Sequence, residues 1–300
     1  MTDRIDIAEQ QAEETVLDDS REGLRQLIMT TRDLPAMPHV ASKVLELSGD
    51  PNTSAVRLQQ VIADDQAMAA RILKIANSAM YACSRKIKTL TEAIVMLGFN
   101  SIRSLVVTSA ARNLYAGSSA RMGLKERLLW EHSVGVACAC RLLVQAESPH
   151  LAEEAFLAGL MHDIGKLVLN QQAAERFDEI VQTVYNENTQ FADTERALLG
   201  FDHAEVGAAL VGKWKLPQAL EMVIANHHRP DVFSADTPLL LYLDLANQMC
   251  KQQGIGFVHD EAIDLVTSDS NRLLGMDGAA IAAVTEKLKR TLETEMEIFV

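Results

Sequence analysis

Aromatic residues are scarce in this sequence of 300 residues, at 5%, although 48% of its residues are hydrophobic. The apolar content therefore consists mainly of aliphatic side chains and alanine, a composition that favours helices packed on helices. No convincing run alternates apolar and polar residues with the period of two that marks a half-buried strand. We therefore predict an all-α fold in one or two domains.

Cysteine is also rare, and the four cysteines contain no C-x-x-C pair. Cys138 and Cys140 lie within the apolar run 134–144, where small buried thiols are common. We interpret the cysteines as reduced thiols rather than metal ligands, as is typical of a cytoplasmic protein. The first residues are acidic and lack the apolar segment of a signal peptide, and no apolar run approaches the roughly 18 residues of a membrane span. We expect a cytoplasmic location and no membrane partner.

Positive charge is in deficit: 28 Lys and Arg face 41 Asp and Glu, which gives a net charge of −13. This balance argues against a nucleic acid as the default partner. Residues 1–24 alone hold eight acidic side chains against two basic ones, and we expect 1–20 to form an acidic, disordered tail. The rest of the chain is only mildly acidic, which leaves room for a locally positive pocket.

Helical periodicity and turn signals organise the remainder of the chain. Thr89 and Glu92 match a capping box, and Asp202 with Glu205 forms a similar helix start. The small residues at 116–119 mark the clearest internal boundary. We predict three segments, which are an N-terminal helical half at 21–116, a second helical half at 120–252 and a C-terminal helical extension at 253–300.

The most informative stretch is His162-Asp163, followed closely by Gly165 and Lys166. We expect Gly165 to end the helix that carries the pair. Neutral imidazole and carboxylate are ordinary ligands of divalent cations, and both side chains can reach one ion at a helix end. A second pair, His259-Asp260, has no comparable surroundings.

Other candidate ligands lie mostly between residues 132 and 228. Asp244 lies among leucines, where an unpaired carboxylate is costly, so a cation is expected to neutralise it. His203 falls at a predicted helix N-terminus, where the helix dipole favours the neutral, ligand-competent imidazole. The predicted metal ligands are His132, His162, Asp163, His203, His227, His228 and Asp244.

Each candidate also has an ordinary structural explanation. A single helical histidine is usually a core or surface residue, Lys166 alone would be a solvated lysine, and His227-His228 could stabilise a helix C-terminus. Asp202 is adequately explained as a cap. These explanations together require several coincidences in one half of the chain, which favours a metal site.

A metal site of this kind suits phosphoester chemistry. One or two cations would polarise a phosphoryl oxygen and lower the pKa of bound water to about 7. Asp163 and Lys166 are the candidate catalytic residues, with Lys166 meeting a phosphate as a point charge. No P-loop, nucleophile elbow or dinucleotide fingerprint suggests other chemistry.

The order His132, His162-Asp163, Asp244 resembles the H…HD…D signature of the HD superfamily of metal-dependent phosphohydrolases. The chain as a whole, over about 22–250, looks more specifically like an HDOD domain, the HD-related output domain of bacterial signalling proteins. The stretches that carry this resemblance are Leu34-Pro35-Ala36-Met37-Pro38, Ile75–Tyr81, Ala93–Gly98, His203–Ala209 and Trp214–Pro217.

The resemblance implies a multi-helix HD-like fold with an additional N-terminal helical half. It implies a signalling output module that binds a signalling protein or a phosphorylated small ligand; the alternative is a metal-dependent phosphodiesterase acting on a cyclic dinucleotide or nucleotide. The implied cofactor is Fe, Mn, Zn or Ni, possibly as two ions. His203 and His227-His228 resemble additional ligands of HD-GYP phosphodiesterases. However, Leu128 replaces a glutamate found before the first histidine in some of them, and Arg229-Pro230 replaces their Gly-Tyr-Pro segment.

Overall fold

The structure is a computed structural model that describes Gln26 and residues 34–299, apart from 79, 82, 84, 118–121 and 146. Its described residues form α-helices joined by turns and short 3-10 helices, with no strand, which confirms the all-α prediction. The predicted acidic tail 1–20 lies outside the described residues, as do positions 118 and 119 of the predicted boundary.

Between residues 34 and 117, the described part of the N-terminal half forms four α-helices, and the first three pack against the fourth. The predicted capping box is confirmed, because Thr89 Oγ1 accepts from the Glu92 amide and the Glu92 carboxylate accepts from the Lys88 amide. The helices are α1 (His39–Ser48), α2 (Ala55–Ala63), α3 (Gln66–Ala76) and α4 (Leu90–Ala116).

Among the described residues, α4 alone is long and apolar enough to cross a membrane by length and composition. By this measure, the expectation that no apolar stretch approaches such a length was too strict. However, 61% of its apolar window is buried inside the protein, and Gly98 interrupts the helix with φ 80° and ψ 168°. Helix α4 therefore has the burial of a core helix.

The described residues of the second half form eight α-helices. Helix α5 packs lengthwise against α6, and α12 lies across both, while α10 packs on α7 and α11. The helices are α5 (Leu124–Val144), α6 (Ala152–Met161), α7 (Ile164–Gln172), α8 (Ala174–Glu187), α9 (Phe191–Leu199), α10 (His203–Lys213), α11 (Gln218–Asn226) and α12 (Pro238–Gln252).

Gly165 does not end a helix, contrary to the sequence prediction. The break comes earlier, at His162 and Asp163 between α6 and α7, and Gly165 lies in the first turn of α7. Close packing explains why this position is a glycine, because a Cβ at Gly165 would stand 1.9 Å from the main-chain oxygen of His203. The glycine therefore lets α7 touch the start of α10, which brings His203 beside the His-Asp pair.

Two further helices, α13 (Asp269–Leu274) and α14 (Gly278–Phe299), complete the chain. Helix α14 lies on α5 and α3, and the carbonyl of Phe299 accepts from Trp130 Nε1 at 3.1 Å and from Arg112 Nε at 3.2 Å. Buried side chains from all three predicted segments belong to one hydrophobic cluster. The segment boundaries themselves stay predictions.

Candidate metal centre

Six of the seven predicted ligands converge at the meeting point of α5, α6, α7, α10 and α11. They form two groups that share Asp163, and the ligand atoms of each group lie within 4.8 Å of one another. We call them the His132 group (His132, His162 and Asp163) and the His203 group (Asp163, His203, His227 and His228).

The His203 group is the tighter of the two. His203 Nε2 lies 3.1 Å from Asp163 Oδ1, 3.3 Å from His227 Nε2 and 2.9 Å from His228 Nε2. His227 Nε2 lies 3.8 Å from the same Asp163 oxygen. In the His132 group, Asp163 Oδ2 is 3.4 Å from His162 Nε2 and 3.7 Å from His132 Nε2.

Main-chain carbonyls fix the orientation of three of these imidazoles. A carbonyl can only accept, so each Nδ1 carries the hydrogen and each Nε2 of the neutral ring presents a lone pair toward the centre. Such backing of the distal nitrogen is typical of metal-ligating histidines. The pairs are His132 Nδ1 with Ile255 O at 2.8 Å, His162 Nδ1 with Gly159 O at 2.8 Å, and His227 Nδ1 with Ile224 O at 2.7 Å.

His203 is backed by a carboxylate instead. Glu195 Oε2 accepts from the His203 main-chain amide at 2.8 Å and lies 2.5 Å from its Nδ1, and both residues are fully buried. Asp202 caps α10 as predicted, accepting from the amides of Ala204 and Glu205. Burial alone would lower the pKa of His203, but the charge of Glu195 raises it above 6.5. The charge of Glu195 thus opposes the preference for a neutral ring that the helix dipole predicts for His203.

Burial keeps His132, His227 and His228 neutral. It lowers the pKa of His132 to about 3 and that of His227 to about 4, and it lowers the pKa of His228 well below 6.5. Burial would raise the pKa of Asp163, but neighbouring His162 and Lys166 lower it well below 3.8. These three neutral imidazoles and the ionised Asp163 are in the protonation states that metal ligation requires.

The residues fit a divalent cation. His162 Nε2 and Asp163 Oδ1 are buried and have no hydrogen-bond partner, and a buried polar atom left in that state is costly. The Nε2 atoms of His203, His227 and His228 crowd together with too few hydrogens to pair them all. A cation ligated by imidazole and carboxylate would satisfy Asp163 Oδ1 and these three nitrogens at once, and such ligands suit Zn, Fe, Mn or Ni.

Lys166 lies in the centre and is not the solvated lysine of the ordinary explanation. Its side chain is buried, and Nζ lies 2.8 Å from Asp163 Oδ2 and 4.5 Å from the centroid of the Phe191 ring. The catalytic roles assigned to Asp163 and Lys166 stay predictions.

Asp244 belongs to neither group. It bonds Gln248 at 2.5 Å and lines an adjoining cavity of about 450 Å³ with Lys251 and Asp269. The α12 side chain that reaches the centre is Asn247, one turn later, whose Oδ1 stands 3.1 Å from His132 Nε2. The structure therefore does not bring Asp244 to the other predicted ligands, and its role as a ligand is not supported by its position.

A second cavity, of about 340 Å³, opens directly on the centre. Asp163, Lys166 and Lys251 contribute charged groups to its wall, while Phe191 and Phe257 contribute aromatic rings. His259 and Asp260 also line this cavity, so the pair that lacked comparable neighbours in the sequence lies beside the centre.

Sequence reasoning set the His259-Asp260 pair aside and missed three residues of this region: Glu195, Asn247 and Lys251. None of them belongs to a local motif. Glu195 is separated from His203 by a helix end and a turn. Asn247 reaches the centre only because its side of α12 faces His132, which the sequence does not show. Their assignment needed the packing of the helices.

Comparisons with known proteins agree with the geometry. The sequence profile of the HDOD domain family matches residues 34–230. An uncharacterized protein of Treponema pallidum (strain Nichols) is 25% identical over 221 residues, which cover 72% of this chain and 42% of that protein. The chain thus spans about two fifths of the length of this curated relative.

Solved structures with the same fold include an HDOD domain protein of unknown function from Geobacter sulfurreducens, with a TM-score of 0.71 and 25% identity over 89% of this chain and 91% of that one. A candidate phosphohydrolase from Shewanella amazonensis SB2B gives a TM-score of 0.71 and 25% identity over 92% of this chain and 96% of that one. With the family match extending over more than half of its residues, the chain belongs to the HDOD domain family.

Proposed function

We propose that the chain is a signal-transduction output module of the HDOD type whose centre holds a divalent cation and binds a phosphate-bearing small ligand. The observation that carries the proposal is the buried Asp163 Oδ1, which has no hydrogen-bond partner and faces the crowded Nε2 atoms of the His203 group. A protein without a cation there would bury lone pairs against one another at considerable cost.

The cavity beside the centre supports a phosphorylated ligand. Lys166 and Lys251 are its ammonium groups, and Phe191 and Phe257 give it apolar walls. Its volume of about 340 Å³ lies within the usual range for small-molecule sites. When bound, the cation would supply a Lewis acid for phosphate oxygens. Lys166 and Lys251 would add positive charge, and the aromatic rings would exclude water.

Hydrolysis of a phosphomonoester or phosphodiester is the second candidate function. It is favoured by the large number of ligands that meet at Asp163 and by the direct opening of the centre into the cavity. It is weakened by Asn247, because an amide stands where α12 approaches His132 and the superfamily signature would lead one to expect a carboxylate. We therefore favour ligand binding as the main function.

We also propose a cytoplasmic location. The described cysteines, Cys83, Cys138, Cys140 and Cys250, are all free thiols, which agrees with a reducing compartment. A signalling protein that reads the ligand-bound state remains a further proposal, suggested by the family alone.

Elemental analysis of the full chain, purified without chelator after metal-replete expression, tests the cation. We expect bound transition metal in the wild type and none in Asp163→Asn, with the helical circular-dichroism signal retained. Wild-type protein free of every transition metal would contradict the proposal.

Titration of the metal-loaded chain with inorganic phosphate tests the ligand class. We expect Lys251→Met to weaken phosphate binding at least tenfold, and Lys287→Met, on the surface of α14, to leave it unchanged. Turnover of bis(p-nitrophenyl) phosphate that disappears in Asp163→Asn would establish the second candidate instead of the first.

A further inference from the structure

The two carboxylate oxygens of Asp163 have different surroundings. Oδ1 faces His203 and His227, at 3.1 Å and 3.8 Å from their Nε2 atoms, and has no hydrogen-bond partner. Oδ2 faces His132 and His162 and accepts from Lys166 Nζ at 2.8 Å. Oδ1 is therefore free to bind a cation, whereas Oδ2 already bonds the ammonium group of Lys166.

Lys166 makes the His132 group a poor place for a metal ion. Its ammonium bonds the carboxylate oxygen that this group would offer, and the side chain is buried. A divalent ion ligated by Asp163 Oδ2 would lie close to this positive charge, with little water between them to screen the repulsion. Lys251 adds a second ammonium group to the wall of the cavity of about 340 Å³ that opens on the centre.

Asn247 occupies the remaining nitrogen of the same group. His132 gives its Nδ1 hydrogen to Ile255 O, so its Nε2 is an acceptor, and the Asn247 amide stands 3.1 Å from it. The amide satisfies that nitrogen once its NH₂ faces the ring, an orientation that the hydrogen-bond network decides. Asn247 thus holds His132 through a neutral group and brings no charge that would attract a second ion.

We infer that the chain binds a single divalent cation, in the His203 group. Lys166, bonded to Asp163 Oδ2, and Asn247, beside His132 Nε2, take the place of a second ion in the His132 group. His162 Nε2 is the one nitrogen of that group that they leave without a partner. This inference rests on the proposed metal site and goes beyond it by fixing the number and position of the ion. Asn247 is then the residue that limits the metal stoichiometry, because an aspartate there would give the His132 group a second carboxylate.

The test is the metal content of the full chain, saturated with Zn²⁺ or Mn²⁺ alone and then freed of excess metal by desalting. We expect one ion per chain in the wild type and two in Asn247→Asp. Asn247→Leu, which removes the amide without adding charge, should keep one ion and serves as the matched control. Circular dichroism confirms that each variant is folded.

Two histidine variants test the position of the ion. His228→Ala should lower the affinity at least a hundredfold, whereas His132→Ala should still hold one ion with an affinity within about threefold of the wild type. The opposite pattern would overturn the placement in the His203 group.

The stoichiometry separates this inference from the proposed function. Two ions in the wild type, or one in folded Asn247→Asp, would overturn the inference and leave the proposed metal site standing. No ion in the wild type would overturn both.

Discussion

Glu195 holds His203 at two points, through the main-chain amide at 2.8 Å and the ring Nδ1 at 2.5 Å. Both residues are fully buried, so no water competes for these bonds. The carboxylate fixes the ring orientation and makes the imidazole a more basic ligand, as carboxylates behind metal-bound histidines generally do. Metal affinity should therefore depend on Glu195 even though it is not expected to touch the ion.

We expect Glu195→Gln to weaken metal binding by about 10–100-fold, because the neutral amide loses the charge that increases the basicity of His203. Competition of the metal-loaded chain with a chelator of known affinity measures this change. The control is Asp193→Asn, on the same helix but exposed and paired only with Arg196. Equal affinities for the two variants would show that Glu195 has no influence on the ion.

We expect Gly165→Ala to destabilise the fold by about 3 kcal/mol, because overpacking in a rigid contact is costly. The new Cβ would lie 1.9 Å from His203 O and 2.9 Å from Gly207 N, and both atoms belong to main chain that cannot rotate away. Urea unfolding of the metal-free chain gives the free energy.

Gly49→Ala is the comparison for this variant. Its Cβ would meet nothing closer than 3.7 Å, and φ is −88°, so we expect a change within about 1 kcal/mol. Similar losses for both glycines would contradict the close approach of α7 and α10.

We expect Asp244→Asn to stabilise the metal-free chain at neutral pH. Burial raises the pKa of Asp244 above 3.8, against the opposing effect of hydrogen bonds from Ser270 and Gln248. The folded state therefore keeps this proton more tightly than the unfolded state, and ionisation at higher pH costs stability. The advantage of the variant should be full above the folded pKa and should decline as pH falls through it toward 3.8.

Urea midpoints of wild type and variant between pH 7 and pH 4 measure this dependence. Asp264→Asn should show the opposite sign, because a hydrogen bond from Thr267 and the Val266 amide lower the pKa of Asp264. Its loss of stability at neutral pH should fade as pH falls. An unchanged difference across this range would mean that Asp244 is not buried as described.

Local signals were the most reliable part of the sequence prediction. The caps at Thr89 and Asp202 were predicted correctly because donor and acceptor lie within three residues of each other. The candidate metal centre was predicted for a different reason. Buried histidines beside a His-Asp pair are chemically unusual, so their grouping in one half of the chain indicated a shared partner before any contact was known.

The choice between Asp244 and Asn247 could not be made from the sequence. They lie three residues apart on one apolar helix, so their side chains point only about 60° apart. Which of them meets His132 depends on the rotation of α12 against α5, and that rotation is set by many apolar contacts together. A carboxylate is the more obvious ligand, so chemical reasoning alone selected Asp244, whereas Asn247 is the residue that lies beside His132.

The family match ends at residue 230, whereas Asn247 and Ile255, the two partners of His132, come later in the chain. Proteins grouped by that match can thus share every histidine and still differ in the pieces that decide how those histidines are used. A comparison of HDOD proteins by their histidines alone would not include either partner of His132. A comparison by the amino acid that α12 places beside the first histidine would separate proteins with a neutral amide there from proteins with a carboxylate.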